Sequence, residues 1–319
     1  MGSLGIAAMF PGQGSQQPGM GRALAEACAS ASEVFDRVSE ATGKDMRAVC
    51  WEADAETLRQ TENAQLALLT ASLAAFRATA EATGFTPLVG AGHSVGEYAA
   101  LAAAGMLEVE DAARLVQRRG DLMARAGRLA PGTMAAVLGL EDEAVERVCA
   151  EVSTDGEPVV AANYNSPGQV VISGAVTAVE NACERLKAAG AKRCLPLNVS
   201  GAFHSPLMRD AAEAMAEALR QVEFRRGAFP VVSNVLAQPV EDPAAWPDLL
   251  MRQLAEPVRW TASVVAMGIM GARLFAEFGV GAVLSGLVRR TLEDADAVAV
   301  ESPDTLQQFS DRIAGVGAG

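Results

Sequence analysis

The sequence has too few basic residues for a typical nucleic-acid-binding protein. It contains 26 Lys and Arg against 39 Asp and Glu, which gives a net charge of −13 and a pI near 4.7. A nucleic-acid-binding surface needs concentrated positive charge to contact phosphates. The chain has neither a basic tail nor a long basic run. We therefore expect no nucleic-acid partner.

Paired cysteines and long apolar runs are also missing. The five cysteines form no Cys-x-x-Cys pair, and their odd number and wide spacing indicate reduced thiols rather than disulfides or a metal site. The N-terminus lacks the basic segment of a signal peptide. No apolar run reaches the about 18 residues that a membrane span requires. We expect a cytoplasmic protein with no bound metal and no membrane association.

Half of the residues are nevertheless apolar, which is enough for a sizeable core in a chain of 319 residues. Strand-like and helix-like segments alternate in the first part of the chain. A short apolar strand (4–10) and a glycine-rich loop precede helical patterns at about 21–40 and 64–82, and a second strand ends at GAGHS. An alanine-rich helix and another helix at about 109–126 follow. Such alternation predicts a parallel sheet covered by helices.

The pattern changes after Pro131 and Gly132. The next 65 or so residues read strand, helix, strand, strand, helix, strand, which is the order of a ferredoxin-like unit. We therefore predict a small domain at residues 132–198, inserted into a larger α/β domain made of residues 1–131 and 199–319. In the second part of the large domain we expect strands at FPVVSNV and ARLFAEF, and helices at about 206–222 and 258–271 and at VLSGLVRRTL.

Ser94 occupies the centre of a Gly-x-Ser-x-Gly pattern between the second strand and the alanine-rich helix. Small flanking residues allow a sharp turn that lifts a serine Oγ out of the sheet and places a helix N-terminus behind it. The sequence therefore favours a nucleophile, and a plain structural turn is the main alternative. A phosphate-binding loop is disfavoured because no Gly-x-x-x-x-Gly-Lys pattern or complete dinucleotide fingerprint is present.

A serine nucleophile needs a base, and the chain has only two histidines. His93 precedes Ser94 in the turn, so its side chain should point away from the Ser94 Oγ. His204, in VSGAFHSPLM, is the remaining candidate. The N–H of Val95 could stabilise an oxyanion, and the glycine-rich loop at 12–14 could supply a second donor.

Nine segments together resemble the malonyl-CoA:acyl-carrier-protein transacylases of fatty-acid synthesis and the related acyltransferase units of polyketide synthesis. They lie in the family's order over nearly the whole chain: FPGQGSQ, GHSVGEYAAL, VQRRGDLM, GTMAAVLGL, ANYNSPGQVVISG, VSGAFHSPLM, VSNVLAQPV, RQLAEPVRW and VLSGL. The resemblance implies an α/β-hydrolase-like domain with an inserted ferredoxin-like domain. It also implies transfer of a malonyl group from malonyl-CoA to an acyl carrier protein, without a cofactor. We expect a monomer.

The resemblance also assigns roles to single residues. Ser94 matches the acylated serine and His204 the general base. Gln13 matches the residue whose N–H completes the oxyanion hole with that of Val95. Arg119 matches the arginine that binds the free carboxylate of the malonyl group, and Gln253 matches a residue whose backbone carbonyl orients the histidine.

Two further expectations concern specificity and docking. Phe203 and Val95 resemble members that select malonyl over methylmalonyl groups, although one methyl group is worth only about 1–3 kcal/mol. Because acyl carrier proteins are generally acidic, docking on this acidic enzyme needs a local basic patch. Candidates near the end of the small domain are Lys187, Lys192 and Arg193, and the last two match a basic pair of the family.

Two other functions compete with malonyl transfer. An acyl-thioester hydrolase that edits carrier proteins would use the same serine, base and oxyanion hole, but it would usually act on acyl chains without a distal carboxylate. A non-catalytic docking protein would have no reason to combine Ser94, His204 and Arg119. The residues leave open whether the carrier protein serves fatty-acid or polyketide synthesis.

Overall fold

A computed structural model describes residues 4–316, which form a mixed α/β structure with two separate sheets. The strands are β1 (Ile6–Phe10), β2 (Val89–Gly92), β3 (Gly132–Leu138), β4 (Val159–Ser166), β5 (Gln169–Ala175), β6 (Arg193–Pro196), β7 (Val231–Val232), β8 (Pro239–Val240), β9 (Leu274–Phe278) and β10 (Asp296–Val300). The larger sheet has the order β10-β9-β1-β2-β7-β8, and only β8 is antiparallel to its neighbour. The fold therefore belongs to the predicted class.

Helices cover both faces of the larger sheet and one face of the smaller sheet. The α-helices are α1 (Arg22–Ala27), α2 (Ala29–Thr42), α3 (Ala55–Arg59), α4 (Thr61–Thr83), α5 (Gly96–Ala104), α6 (Val109–Leu129), α7 (Asp142–Val152), α8 (Val176–Ala188), α9 (Arg209–Arg220), α10 (Trp246–Gln253), α11 (Trp260–Ile269), α12 (Val283–Thr291) and α13 (Pro303–Val316). Short turns of π-helix (Ala48–Glu52) and 3₁₀-helix (Pro206–Met208 and Pro243–Ala245) complete the secondary structure.

Strand β1 lies at the centre of the large domain and is buried on both faces. Successive strand side chains point to opposite faces, so Ala8 and Phe10 join the core beneath α2, α4, α5 and α6, while Ala7 and Met9 pack towards α11 and α12. This two-sided burial explains why β1 is an uninterrupted apolar run, as is usual for a parallel sheet.

The smaller sheet is antiparallel, in the order β4-β5-β3-β6. Helices α7 and α8 cover one face and enclose a separate core that includes Val145, Ile172 and Leu186. Met134 and Val171, from the same sheet, pack into the core of the large domain. The chain order from β3 to β6 is the predicted strand-helix-strand-strand-helix-strand. The domain limits at 132 and 198 remain a prediction.

Several elements differ in length from the sequence reading. The segment FPVVSNV contains only the two-residue strand β7, because Ser233 and the residues after it turn back through the Ala237 N–H···O Ser233 hydrogen bond. The last strand of the predicted ferredoxin-like unit is β6, which ends at Pro196, where the chain leaves the sheet. Five of these strands and α-helices were not predicted at all, namely α3, β8, α10, β10 and α13.

Two features are absent from the described part of the chain. Between residues 4 and 316, no helix is both long and apolar enough to cross a membrane. Within the same range, no group of three or more His, Cys, Asp or Glu side chains could hold a metal ion.

Candidate active site

The turn between β2 and α5 carries Ser94 in a left-handed backbone conformation, with φ of 52°. The glycines that flank it are required because a Cβ atom would not fit at either position. A Cβ atom on Gly92 would lie 1.9 Å from the Gly96 carbonyl carbon, and a Cβ atom on Gly96 would lie 2.1 Å from the Phe10 carbonyl oxygen. The close approach of these backbones explains the Gly-x-Ser-x-Gly spacing and holds the Ser94 side chain at the sheet edge.

His204 faces Ser94 from the segment that precedes α9. Its Nε2 lies 2.8 Å from the Ser94 Oγ, and its Nδ1 lies 2.7 Å from the Gln253 carbonyl oxygen. Gln253 is the last residue of α10, where carbonyl groups lack a partner inside the helix. Because a carbonyl can only accept, Nδ1 carries the proton and Nε2 presents its lone pair to the serine hydroxyl.

Burial keeps the His204 imidazole neutral. Desolvation is the main cause that lowers the pKa of His204 to about 3, and the positive charge of Arg119 lowers it further. The hydrogen bond to the Gln253 carbonyl opposes this shift without reversing it. At neutral pH the imidazole is therefore unprotonated, which is the form that a general base needs. Like Ser94, His204 has a positive φ, of 57°.

The two predicted oxyanion donors are free of protein acceptors. Among residues 4–316, neither the Val95 N–H nor the Gln13 N–H donates a hydrogen bond. Val95 is the N-cap residue of α5, so its N–H lies at the positive end of the helix. The Gln13 side chain donates to the Thr61 Oγ1 at 3.2 Å, which fixes the loop beside the turn. Both residues remain predicted oxyanion donors.

The side chain of Arg119, on α6, also contacts Ser94. It is 1% exposed, and its Nη2 donates to the Ser94 Oγ at 3.0 Å and to the Gln253 Oε1 at 2.9 Å. Its Nη1 donates to the Gln65 Oε1 at 2.5 Å. Within residues 4–316, no carboxylate forms a salt bridge with it. Arg118 is exposed, because successive helical residues point about 100° apart.

A buried polar network beneath Ser94 was missed by sequence reasoning. Asn234 accepts the Ser94 N–H at 2.8 Å and donates to the Gly92 carbonyl at 2.7 Å, so it holds both sides of the turn. Glu97 accepts the Asn234 N–H and the Gln253 side-chain amide. One signal could have revealed it, because Glu97 is the only charged residue in the otherwise apolar helix α5.

The cleft above Ser94 has a volume of about 460 Å³ and is lined by both domains. Phe203, His204 and the loop at 13–16 line it from the large domain, while Met134, Asn163, Asn165, Val171 and Leu197 line it from the small domain. The His93 Nε2 lies 2.9 Å from the Asn165 Oδ1, so this histidine points away from the Ser94 Oγ, as predicted.

The three predicted docking residues lie outside the catalytic cluster. Lys187 is on α8, Lys192 precedes β6 and Arg193 begins it, and all three are exposed. Strand β6 leads directly into residues 197–199, which line the cleft. This edge of the small domain is therefore close in sequence to the cleft, and its docking role remains a prediction.

A hydroxyl in contact with a neutral imidazole, beneath free N–H groups and above a buried guanidinium, is the arrangement of a serine-dependent acyltransferase. Comparison with known proteins agrees with this class. The model of the acyl transferase domain family matches residues 9–306. A malonyl CoA-acyl carrier protein transacylase of Bacillus subtilis is 44% identical over 302 residues, which cover 95% of each chain. The protein therefore belongs to the family of malonyl CoA-acyl carrier protein transacylases.

Solved structures give the same result. An acyl carrier protein S-malonyltransferase from Vibrio cholerae superposes with a TM-score of 0.91 at 44% identity, covering 95% of this chain and 99% of that one. A malonyl-transacylase in complex with a type II polyketide synthase acyl carrier protein superposes with a TM-score of 0.93 at 42% identity, covering 97% and 99%. The predicted family and fold class are confirmed.

Proposed function

We propose that this enzyme transfers a malonyl group from malonyl-CoA to the phosphopantetheine thiol of an acyl carrier protein, through a malonyl ester on Ser94. The observation that carries this proposal is the position of Arg119. A buried guanidinium that forms no salt bridge within residues 4–316 lies 3.0 Å from the nucleophile. A planar guanidinium binds a carboxylate through two parallel hydrogen bonds, so it suits an acyl group with a free carboxylate at its far end.

In the first half-reaction, His204 removes the proton of the Ser94 hydroxyl, and the oxygen attacks the thioester carbonyl of malonyl-CoA. The negative charge that develops on the carbonyl oxygen is stabilised by the free N–H groups of Val95 and Gln13. The tetrahedral intermediate collapses, and the CoA thiolate leaves with the proton from His204. The malonyl ester remains on Ser94 with its carboxylate on Arg119.

In the second half-reaction, the phosphopantetheine thiol of the carrier protein enters the cleft. His204 accepts the thiol proton, and the sulfur attacks the malonyl ester through the same oxyanion hole. Malonyl-thioester leaves, and the proton returns to the Ser94 oxygen. We propose that no cofactor is needed beyond the groups that the two substrates carry, and that the reaction takes place in the cytoplasm.

Phe203 supports a preference for malonyl over methylmalonyl groups. Its ring lines the cleft next to the base and is 5% exposed, so it is fixed by the surrounding core. An α-methyl group on the bound acyl chain would have to share this space. The resulting preference is expected to be modest, because a single methyl group gives about 1–3 kcal/mol of discrimination.

Replacing Arg119 by alanine should weaken malonyl transfer far more than acetyl transfer. The deleted guanidinium would form charged hydrogen bonds with the malonyl carboxylate, each worth about 1.5–3 kcal/mol. The ratio of acetyl to malonyl acylation of Ser94 should therefore rise at least about tenfold. Intact-protein mass spectrometry with each CoA thioester measures both rates.

The matched control is Arg118→Ala, which removes the adjacent exposed arginine of α6. It should leave the acetyl-to-malonyl ratio unchanged. Equal losses of malonyl and acetyl acylation in Arg119→Ala would show that this arginine supports the structure rather than the substrate carboxylate.

The runner-up function, thioester hydrolysis, receives no support from these observations. A hydrolase could use Ser94, His204 and the same oxyanion hole, but it would have no need of Arg119 beside the nucleophile. The relatives described above are named as transacylases or as an S-malonyltransferase. Incubation of the malonyl enzyme with and without carrier protein separates the two reactions, since transfer requires the thiol and hydrolysis does not.

We further propose that the carrier protein docks on the patch of Lys187, Lys192 and Arg193. All three are exposed, and between residues 4 and 316 none forms a salt bridge. Changing both Lys192 and Arg193 to glutamate should raise the KM for carrier protein about tenfold at low salt, because nearby unscreened charges control association. Acylation of Ser94 by malonyl-CoA should change less than about twofold.

The two half-reactions should be measured over a salt series, with the double variant Arg289→Glu and Arg290→Glu as the control. These residues lie exposed on α12 and undergo the same change in charge. The difference in KM between the patch variant and the wild type should shrink as salt increases. An unchanged KM for carrier protein at low salt would place docking on another face.

A further inference from the structure

Glu97 lies at the centre of the buried network beneath Ser94 and is fully shielded from solvent. One carboxylate oxygen accepts the Asn234 N–H at 2.7 Å, and the other accepts the Gln253 Nε2 at 2.5 Å. Asn234 holds the Ser94 turn, and Gln253 contacts His204 through its backbone carbonyl. Glu97 is therefore hydrogen-bonded directly to the two residues that hold the nucleophile and the base.

The same carboxylate is electrically coupled to Arg119. The Gln253 side-chain amide joins the two charged groups, because its Nε2 donates to Glu97 while its Oε1 accepts from the Arg119 Nη2. The other titratable groups that face this region are His204, which is neutral, and Tyr98, whose pKa is raised by burial above its usual value. Where it is ionised, Glu97 is thus the carboxylate that balances the buried charge of Arg119, across the Gln253 amide, before substrate binds.

A malonyl group adds a second carboxylate to this dry site. With both carboxylates ionised against one guanidinium, the buried cluster would carry a net negative charge, which is costly away from water. The site can avoid this cost only if one carboxylate becomes neutral. The malonyl carboxylate sits directly on the guanidinium in the proposed function, so Glu97 is the group left to change.

We infer that the malonyl carboxylate replaces Glu97 as the charge that balances Arg119, so that an ionised Glu97 takes up a proton from solvent when malonyl binds. This inference rests on the proposed function, in which Arg119 binds the malonyl carboxylate. The proton is the only species transferred, and no bond other than Glu97 O–H is formed. Malonyl binding above neutral pH is therefore linked to proton concentration, whereas acetyl binding is not.

The direction of this linkage follows from the charge state of Glu97. Burial is the largest cause that raises its pKa to about 8 in the free enzyme, while Asn234, Gln253 and Arg119 oppose the rise. A carboxylate on Arg119 cancels part of that opposition and raises the Glu97 pKa further in the malonyl state. Malonyl affinity is therefore fully present well below pH 8 and is lost as the pH rises through 8 towards the higher pKa of the bound state.

The test is the pH dependence of the malonyl-CoA concentration that half-saturates single-turnover acylation of Ser94, measured from pH 6.5 to 9.5. In the wild type this concentration should rise about fivefold between pH 7.5 and 9. In Glu97→Gln, which cannot ionise, it should change less than twofold over the same interval, whatever the effect on the maximal rate. A wild-type profile without the rise, or a Glu97→Gln profile that keeps it, would overturn the inference.

Glu277→Gln is the matched control. Glu277 is also fully buried and also accepts two N–H groups, in this case the backbone N–H groups of Leu284 and Ser285, but it shares no hydrogen-bond partner with Arg119. This variant should keep the wild-type rise. Formation of the malonyl adduct on the wild type tests the proposed function separately, because the adduct can form in full while its pH dependence contradicts the role of Glu97.

A second measurement needs no variant and covers the case in which Glu97→Gln does not fold. The wild type is mixed with malonyl-CoA or acetyl-CoA in weakly buffered solution at pH 8.5 containing a pH indicator, and the signal is scaled to the acyl enzyme formed. Both donors release the same CoA thiol. Malonylation should take up more protons per enzyme than acetylation does, by a substantial fraction of one proton. Equal signals for the two donors would refute the exchange.

Discussion

Replacing Ser94 by alanine is expected to abolish acylation while leaving the fold intact. The hydroxyl is the atom that would attack the thioester, and it lies 2.8 Å from the His204 Nε2 and 3.0 Å from the Arg119 Nη2. Alanine keeps the Cβ atom and the backbone bonds to Asn234 and Gln253, so the turn should be retained. Intact-protein mass spectrometry after incubation with malonyl-CoA should show no malonyl adduct.

Ser200→Ala provides the matched control for this result. Ser200 lies in the segment that leads to His204, and its Oγ contacts the Thr61 Oγ1 at 2.9 Å rather than the catalytic residues. This variant should be malonylated at close to the wild-type rate. A malonyl adduct on the Ser94→Ala enzyme would assign the nucleophile to another residue.

The second large effect is expected from His204→Ala, which should slow acylation of Ser94 by a factor of about 10²–10⁴. Without the imidazole, no other base contacts the serine hydroxyl in residues 4–316, and proton removal would depend on water. The oxyanion donors and Arg119 remain in place, so the substrate should still bind. The rate of adduct formation at saturating malonyl-CoA measures the loss in the chemical step.

The two histidines of the chain allow a direct comparison. His93 is adjacent to Ser94 in sequence, but its Nε2 contacts the Asn165 Oδ1. His93→Ala removes one hydrogen bond, worth about 0.5–1.5 kcal/mol, so its effect on the acylation rate should not exceed about tenfold. Near wild-type acylation by His204→Ala would mean that the base lies elsewhere.

The fold was predictable from the sequence where apolar periodicity and strand order are strong. The central strand β1 is a continuous apolar run, and the order of elements from β3 to β6 was read from alternating strand and helix patterns. Strand β10 was missed because it begins in the acidic run LEDADA and is only half buried, so it resembles a loop. Strand β7 was overestimated because the local turn that ends it, closed by the Ala237 N–H···O Ser233 hydrogen bond, contains no glycine or proline to mark it.

The active site was predictable where the chain contains few residues of the type that the chemistry needs. Two histidines left one candidate base for Ser94, and the structure places His204 in hydrogen-bond contact with it. Arg119 and the Gln253 carbonyl came from the family resemblance, since nothing in a basic helix or a helix end marks them locally. Glu97 was missed because its role depends on partners at least 137 residues away in sequence.

The positive φ angles of Ser94 and His204 affect how the protein can be stabilised. A residue other than glycine in the left-handed region costs about 1–2 kcal/mol. The two catalytic positions together therefore lower the free energy of unfolding by several tenths of its typical value. Glycine would relieve the strain at either position, but it would remove the nucleophile or the base. Screening for thermal tolerance alone would therefore favour inactive enzymes at these sites. Gains in thermal stability have to come from residues remote from Ser94 and His204.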